Sequence, residues 1–367
     1  MLVLIHELGH FLMAKKNGVL VEEFGFGLPP RILGKKIGET IYSINLLFFG
    51  GFVKLYGEEQ HELALTPDRA FISKKPWQKT LIILSGVLMN VILAVIIYYF
   101  LLAGNAFQSE PLPLFNNYQF RFGHQEGRIV VTDVVKGSPA ESAGVKQEDI
   151  VLRFKISNGN WINIQSGQQL IKNVSRLENI PVTIDLYNLK NGNKKTLTIK
   201  PIYDKTLKRA VIGIQMIDGT VIKYQTPVEK IFSGFLHSYN ITAYNLKTFA
   251  YLFETAYQQK KMEIVSQSVS GPIGIFAVIQ NLVKTSGNKF ITNLLNIIAS
   301  LSLSLALMNI LPFPALDGGR LIFIIYEWIT GKQAHPKIEY YINFIGFFLL
   351  IALAILITIN DIMRFIK

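Results

Sequence analysis

Residues 2–11 read Leu2-Val3-Leu4-Ile5-His6-Glu7-Leu8-Gly9-His10-Phe11. On a helix, His6 and His10 stand four residues and about 40° apart, on one face. Two imidazoles so placed can hold one Zn²⁺, with Glu7 beside it as candidate general base for a water that the metal activates. The setting is unusual. Met1–Ala14 surrounds these groups with Leu, Val, Ile, Phe and Met, and Glu7 is its one charge. A helix of a soluble zinc protease keeps a polar face. His-Glu-x-x-His is also short enough to arise by chance, so the zinc reading requires a third ligand elsewhere in the chain.

Composition narrows the class. Half of the 367 residues are hydrophobic and the mean hydropathy is +0.32, so membrane spans are expected. The absence of cysteine excludes disulfides, thiolate zinc sites and cysteine nucleophiles. The net charge of +12 comes from scattered Lys and Arg with no basic patch interleaved with aromatics. Nucleic acid is therefore not an expected partner, and cations flanking spans in a lipid bilayer explain the charge.

Working outward from the motif, Met1–Ala14 covers roughly 21 Å as a helix and cannot cross a hydrocarbon core of about 30 Å. It lacks the basic start and cleavage site of a signal peptide. Either this first span is abbreviated or the true start lies upstream. Lys15-Lys16-Asn17-Gly18 closes it. In Val19–Glu59, Thr40–Asn45 alternates as a strand, Leu46–Gly51 is an apolar turn and Phe52–Tyr56 returns. A hairpin with so apolar a tip is expected to associate with the membrane. His61–Lys79 is polar. Thr80–Ala103 carries no charge and reads as a transmembrane helix. Its Ser85 and Gly86 permit close helix contact, and its Asn90 should face protein or a polar cavity.

Gly104–Lys205 changes character. Strands are predicted at Arg128–Val135, Ile150–Ile156, Pro181–Asn188 and Lys195–Pro201, with a turn at Asn191-Gly192 and short helices at Ser138–Ala143 and Ile164–Val174. Val211–Met216 reads as a further strand. Val228–Tyr257 reads as an amphipathic helix on the membrane surface with His237 at the interface. Ser270-Gly271-Pro272-Ile273-Gly274 is a turn that opens another helix. Phe290–Leu316 is a second uncharged run and leads into Asn309-Ile310-Leu311-Pro312-Phe313-Pro314-Ala315-Leu316-Asp317-Gly318-Gly319-Arg320. Prolines and glycines there predict a broken helix enclosed by protein. Asp317 in apolar surroundings needs a partner, and a metal dication is one. Tyr340–Asn360 is the last span.

The expected fold is a polytopic α-helical membrane protein with about four transmembrane helices, a membrane-associated β-hairpin (40–56) and an inserted mostly-β domain. Its parts are 1–104, 105–205, 206–289 and 290–367. Lys15, Lys16, Arg31, Lys35, Arg69, Lys74, Lys75 and Lys79 precede the 80–103 span, whereas no Lys or Arg follows it until Arg121. The positive-inside rule then makes 15–79 cytoplasmic and the inserted domain extracytoplasmic. Met13 and Lys16 stand where an HExxHxxGxxH motif would have Gly and His. Glu22 and Glu23 fall in a polar loop. Asp317 is distant but on a membrane helix that can pack against the first, and two imidazoles, one carboxylate and one water complete an open tetrahedral site.

Two resemblances follow from these motifs. Gly137-Ser138-Pro139-Ala140, Ala143-Gly144-Val145 and Asp149-Ile150-Val151 resemble the PDZ family. That implies a groove for an extended peptide tail between Arg128–Thr132 and Gln165–Ile171, with Arg128 and Ile129 on its strand. HELGH at 6–10, FGGFVKL at 49–55, a middle PDZ and NILPFPALDGG at 309–319 together resemble the site-2 intramembrane zinc metalloproteases of the RseP type. This resemblance covers essentially the whole chain. It implies one Zn²⁺ held by His6, His10 and Asp317, Glu7 as base, and a hairpin edge around Ile44 and Phe52 that receives the substrate. It also implies Asn309 and Asn90 near the substrate. The expected substrates are single-span membrane proteins such as an anti-sigma factor or a signal-peptide remnant, cut in a bacterial cytoplasmic membrane after trimming of the ectodomain. Three departures stand out: half of the first span is missing, Gly86-Val87-Leu88-Met89-Asn90 lacks the family's proline, and there is room for one PDZ domain rather than two. A catalytically inactive PDZ-bearing scaffold and a metal transporter are the rival readings.

Overall fold

The computed structural model describes residues 1–58, 67–114, 118–157, 159–189, 192–261 and 269–366. Asn191 of the expected turn and 61–66 of the polar segment lie outside them. The chain forms two compact units: Met1–Ile97 with Met262–Ile275 and Ile297–Lys367, and Tyr98–Lys261 with Phe276–Asn296.

The first unit opens with helix α1 (Leu2–Lys16), where Lys15 and Lys16 occupy the last turn and complement its dipole. Strands β1 (Val21–Ile37) and β2 (Thr40–Leu55) follow. Both are bent, so they meet twice. Phe24, Gly25 and Phe26 face Val53, Phe52 and Gly51 on one side, and Tyr42, Ser43 and Ile44 on the other. Leu33, Gly34 and Lys35 then cover Ile44, Ser43 and Tyr42 from the far side. The expected hairpin is corrected in this respect. Thr40–Asn45 and Phe52–Leu55 both lie in β2, which also runs through the expected turn at 46–51, but Phe24–Phe26 lies between them. The glycines and Pro29-Pro30 of β1 hid its strand character while allowing it to bend. Phe11, Ala14, Val19, Val21, Leu55 and Ile82 form the core that joins α1 to this sheet. Burying a side chain such as Phe11 contributes about 2 kcal/mol.

Helix α2 (Pro76–Gly104) starts in the first unit and continues into the second. In the second unit, β3 (Leu112–Pro113), β4 (His124–Val134), β5 (Asp149–Ile156), β7 (Val182–Asn188), β8 (Lys194–Ile199) and β11 (Ile214–Lys223) form a sheet of order β3-β11-β4-β5-β7-β8, with β6 (Ile162–Asn163) on β5. Short helices α3 (Pro139–Ala143) and α4 (Gly167–Val174) pack on it, and β9 (Ile202–Asp204) pairs with β10 (Arg209–Val211). The sheet takes in β11, so it runs past the domain boundary expected at 205. Its core includes Ile129, Phe154, Ile164, Leu170 and Ile184.

The stretch expected as one surface helix is two: α5 (Pro227–Ile231), started by a capping box between Thr226 and Glu229, and α6 (Ser233–Gln259). His237 is not interfacial. It is buried, its Nδ1 is 3.1 Å from the Tyr224 hydroxyl, and burial pushes its pKa down to about 4. Helices α7 (Pro272–Thr285), α8 (Phe290–Ile310), α9 (Asp317–Thr330) and α10 (Pro336–Ile366) complete the chain. Among the described residues, three helices are long and apolar enough to cross a membrane: Pro76–Gly104, Phe290–Ile310 and Pro336–Arg364. The expectation of about four counted α1, which at 15 residues is too short.

Candidate active site

The groups that converge on the candidate metal site all belong to the first unit. Helix α1 presents His6 and His10 one turn apart, and both are nearly buried. Their Nε2 atoms are 3.1 Å apart. Oδ2 of Asp317, the first residue of α9, lies 3.0 Å from His6 Nε2 and 3.2 Å from His10 Nε2, yet it is aligned as a hydrogen bond with neither. A tetrahedral zinc with bonds of 2.0–2.1 Å separates its ligand atoms by about 3.3 Å. The three donor atoms therefore already stand at nearly the edges of such a tetrahedron, and an otherwise unpartnered buried carboxylate oxygen points into it. The donor set fits Zn²⁺.

Close packing makes this convergence possible. A Cβ placed on Gly9 would meet the Ser85 carbonyl oxygen at 2.3 Å, and one placed on Gly86 would meet His10 Nε2 at 2.4 Å. Glycine at both positions lets α1 and α2 touch through backbone, which leaves the histidine rings room. Asp317 comes into place because Leu311–Leu316 is not helical. That segment folds back over the start of α9, where a Cβ on Gly318 would lie 2.0 Å from the Leu311 carbonyl oxygen. The Asp-Gly-Gly sequence is the one that allows this approach.

Neighbouring groups set ring orientation. His10 Nδ1 lies 2.8 Å from the Ile82 carbonyl oxygen, which accepts its proton and leaves Nε2 free. The Asn90 amide is 3.4 Å from His6 Nδ1 and the Asn309 amide 3.3 Å from His6 Nε2. Glu7 is half-buried on the same helix. Gly51 of β2 passes it closely, since a Cβ there would be 3.5 Å from Glu7 Cγ. Residues 51–55 pair with β1 on one side, and among the described residues no strand covers the other.

The structure thus brings His6, Glu7, His10, Asp317, Asn90 and Asn309 together. Glu22 and Glu23 are engaged elsewhere, with Lys54 and Arg31. Four expected substrate contacts are displaced. Asn90 is fully buried and so cannot meet a substrate. Ile44 sits on a stretch paired on both sides, so it offers no free edge, whereas Phe52 lies on the open one. Ile129 is in the core, and β4, which carries Arg128 and Ile129, is flanked by β11 and β5 and cannot accept another strand. Arg128 pairs with Glu126 instead. The second unit has a cavity of about 410 Å³ between Leu170, Ile171 and Val174 of α4 and Ile212, Ile214 and Met216. The reading of the sequence also missed Ile82. A backbone carbonyl carries no signal in residue type, though the i, i+4, i+8 spacing of Ile82, Gly86 and Asn90 marks one helix face.

Comparison with known proteins agrees with this chemistry. The model of Peptidase family M50 matches residues 1–353. A Clostridium perfringens protein, provisionally named a zinc metalloprotease, is 33% identical over 365 residues, covering 98% of this chain and 95% of its own. A similarly named Clostridium acetobutylicum protein is 32% identical, covering 98% and 94%. Zinc metalloprotease RasP of Oceanobacillus iheyensis is 25% identical, covering 99% and 96%.

Proposed function

This chain belongs to peptidase family M50 and is a membrane zinc metalloprotease, and from that premise we propose that it cuts transmembrane segments of single-span membrane proteins. The observation that carries the proposal is the convergence of His6, His10 and Asp317 beside Glu7 on a helix with apolar surroundings. In this reading His6, His10 and Asp317 hold the metal. When bound, zinc supplies Lewis acidity and lowers the pKa of a water. Glu7 takes the proton from that water and delivers it to the departing amine. The Asn309 amide is placed to donate to the peptide being cut. The free edge at Gly51–Val53, beside Glu7, receives the substrate as an added strand.

A helical substrate has its carbonyls engaged in i to i−4 bonds and must unwind before it can pair with that edge. The cations before α2 favour an active site open to the cytoplasmic side of a bacterial inner membrane. The inserted domain then meets the extracytoplasmic end of the substrate. Its groove along α4 suits an extended tail left by earlier trimming, as an anti-sigma factor or a signal-peptide remnant would present.

The test is to purify the full chain in detergent, measure zinc, and follow cleavage of a model membrane-spanning peptide with and without chelator. One zinc per chain and chelator-sensitive hydrolysis are expected. Glu7→Gln should keep its zinc and slow cleavage by at least about 100-fold. Turnover close to wild type in that variant removes Glu7 as the base. Zinc bound without any hydrolysis favours a transporter.

A further inference from the structure

We infer that Asn90 is a positioning residue for His6, accepting the proton on Nδ1 so that Nε2 faces the metal. The inference rests on the reading of His6 as a zinc ligand. An imidazole that binds a metal through Nε2 is neutral and carries its hydrogen on Nδ1. His10 satisfies that hydrogen with the Ile82 carbonyl at 2.8 Å. The corresponding neighbour of His6 Nδ1 is the Asn90 side-chain amide, at 3.4 Å.

Asn90 is fully buried and its Oδ1 has no hydrogen-bond partner. The two ends of an amide are distinguished by their hydrogen bonds rather than by their shape. Turning the amide over sets Oδ1 opposite the Nδ1–H of His6, a donor that ligation requires there. Asn90 is itself held in place, because the Ser302 hydroxyl of α8 donates to its backbone carbonyl at 2.8 Å. Ile82, Gly86 and Asn90 recur every four residues on α2, so one face of that helix serves both histidines. Ile82 orients His10, Gly86 leaves space for the rings, and Asn90 orients His6. An asparagine buried in a transmembrane helix thereby has a defined partner.

The experiment measures zinc affinity of the full-length protein in detergent by competition with a chelator, independent of peptide cleavage. Asn90→Leu keeps the branching at Cγ, though it is larger, and cannot accept a hydrogen bond, whereas Asn90→Asp keeps both the size and the acceptor. Loss of an outer partner of a metal-binding histidine weakens metal binding by about 10- to 100-fold, and that is the fall expected for Asn90→Leu. Asn90→Asp should bind zinc at least as tightly as the wild type, because a carboxylate is the stronger acceptor. If Asn90 only filled space, a buried carboxylate there would find no donor and would destabilise the protein, so the zinc-loaded Asn90→Asp protein should also keep a melting temperature close to the wild type if His6 donates to it. The inference is overturned if folded Asn90→Leu binds zinc within about threefold of the wild type, or if Asn90→Asp is weakened as much as Asn90→Leu. Should Asn90→Leu fail to fold, Asn90→Asp decides: wild-type affinity supports the inference, and a tenfold or greater loss overturns it. His6→Ala is measured alongside. Unchanged zinc affinity there overturns the ligand reading itself, whereas weakened His6→Ala beside an unaffected Asn90→Leu overturns the role of Asn90 alone.

Discussion

Replacing Gly86 by alanine adds one methyl group to the helix face against which both proposed zinc-binding histidines lie. Its Cβ would stand 2.4 Å from His10 Nε2, 2.6 Å from His10 Cε1 and 2.8 Å from His6 Cε1. Ordinary contact is about 3.5 Å, so His10 Nε2 must retreat by about 1 Å. Zinc sites hold their bond lengths within about 0.2 Å. The His10 ring cannot swing away freely, since its Nδ1 is tied to Ile82 on the same helix that carries the new methyl group. Separating the helices instead would break the close approach at Gly9 and Ser85 and strain the Ser302 bond to Asn90. Misplacement by about 1 Å costs about 100-fold in rate, and overpacking costs about 1–3 kcal/mol of stability. Gly86→Ala is therefore expected to lower zinc affinity sharply, to cut at least about 100-fold more slowly and to melt modestly earlier. Chelator competition and initial rates on a model peptide measure the first two. Gly104→Ala, where a Cβ meets nothing within 4 Å, is the control on the same helix. Stoichiometric zinc and near-normal turnover in Gly86→Ala would refute the packing argument.

Three further outcomes are expected. Substrates with Gly, Pro or Asn near the cut should be cleaved faster than Leu/Ala-rich replacements, measured by competition in one reaction, and equal rates would remove the unwinding step. His237 is kept neutral, with its pKa lowered from 6.5 to about 4, so its contribution is full above pH 6.5 and is lost as pH falls toward 4. The loss is on the order of 3 kcal/mol. Melting temperature should therefore fall over that range in the wild type and less in His237→Phe, and parallel curves would contradict the assignment. Ile171→Asp, in the groove of the second unit, should weaken cleavage of a trimmed substrate while leaving a short model peptide unaffected, and equal effects on both would argue against tail binding there.

Much of this protein is legible in local sequence because the relevant physics is local. The four-residue spacing of His6 and His10 places two ligands on one helix face whatever surrounds them. Long uncharged runs make α2, α8 and α10 candidate spans by length and polarity alone. Alternation locates strands such as β5 and β7, and the prolines and glycines before and after Asp317 announce a break that the structure has. Which segments become neighbours was decided only in three dimensions. Strand pairing is set by backbone hydrogen bonds that no residue type specifies, so Phe24–Phe26 could insert between two segments that read as a hairpin. The same freedom let β11 take the edge of β4, so that the strand carrying Arg128 and Ile129 is closed and the cavity lies along α4 beside Ile212–Met216. Asn90 shows the division within one residue. Its polarity in a span signalled a buried partner, but the packing of α1 on α2 at Gly9 and Gly86 determined that this partner is His6.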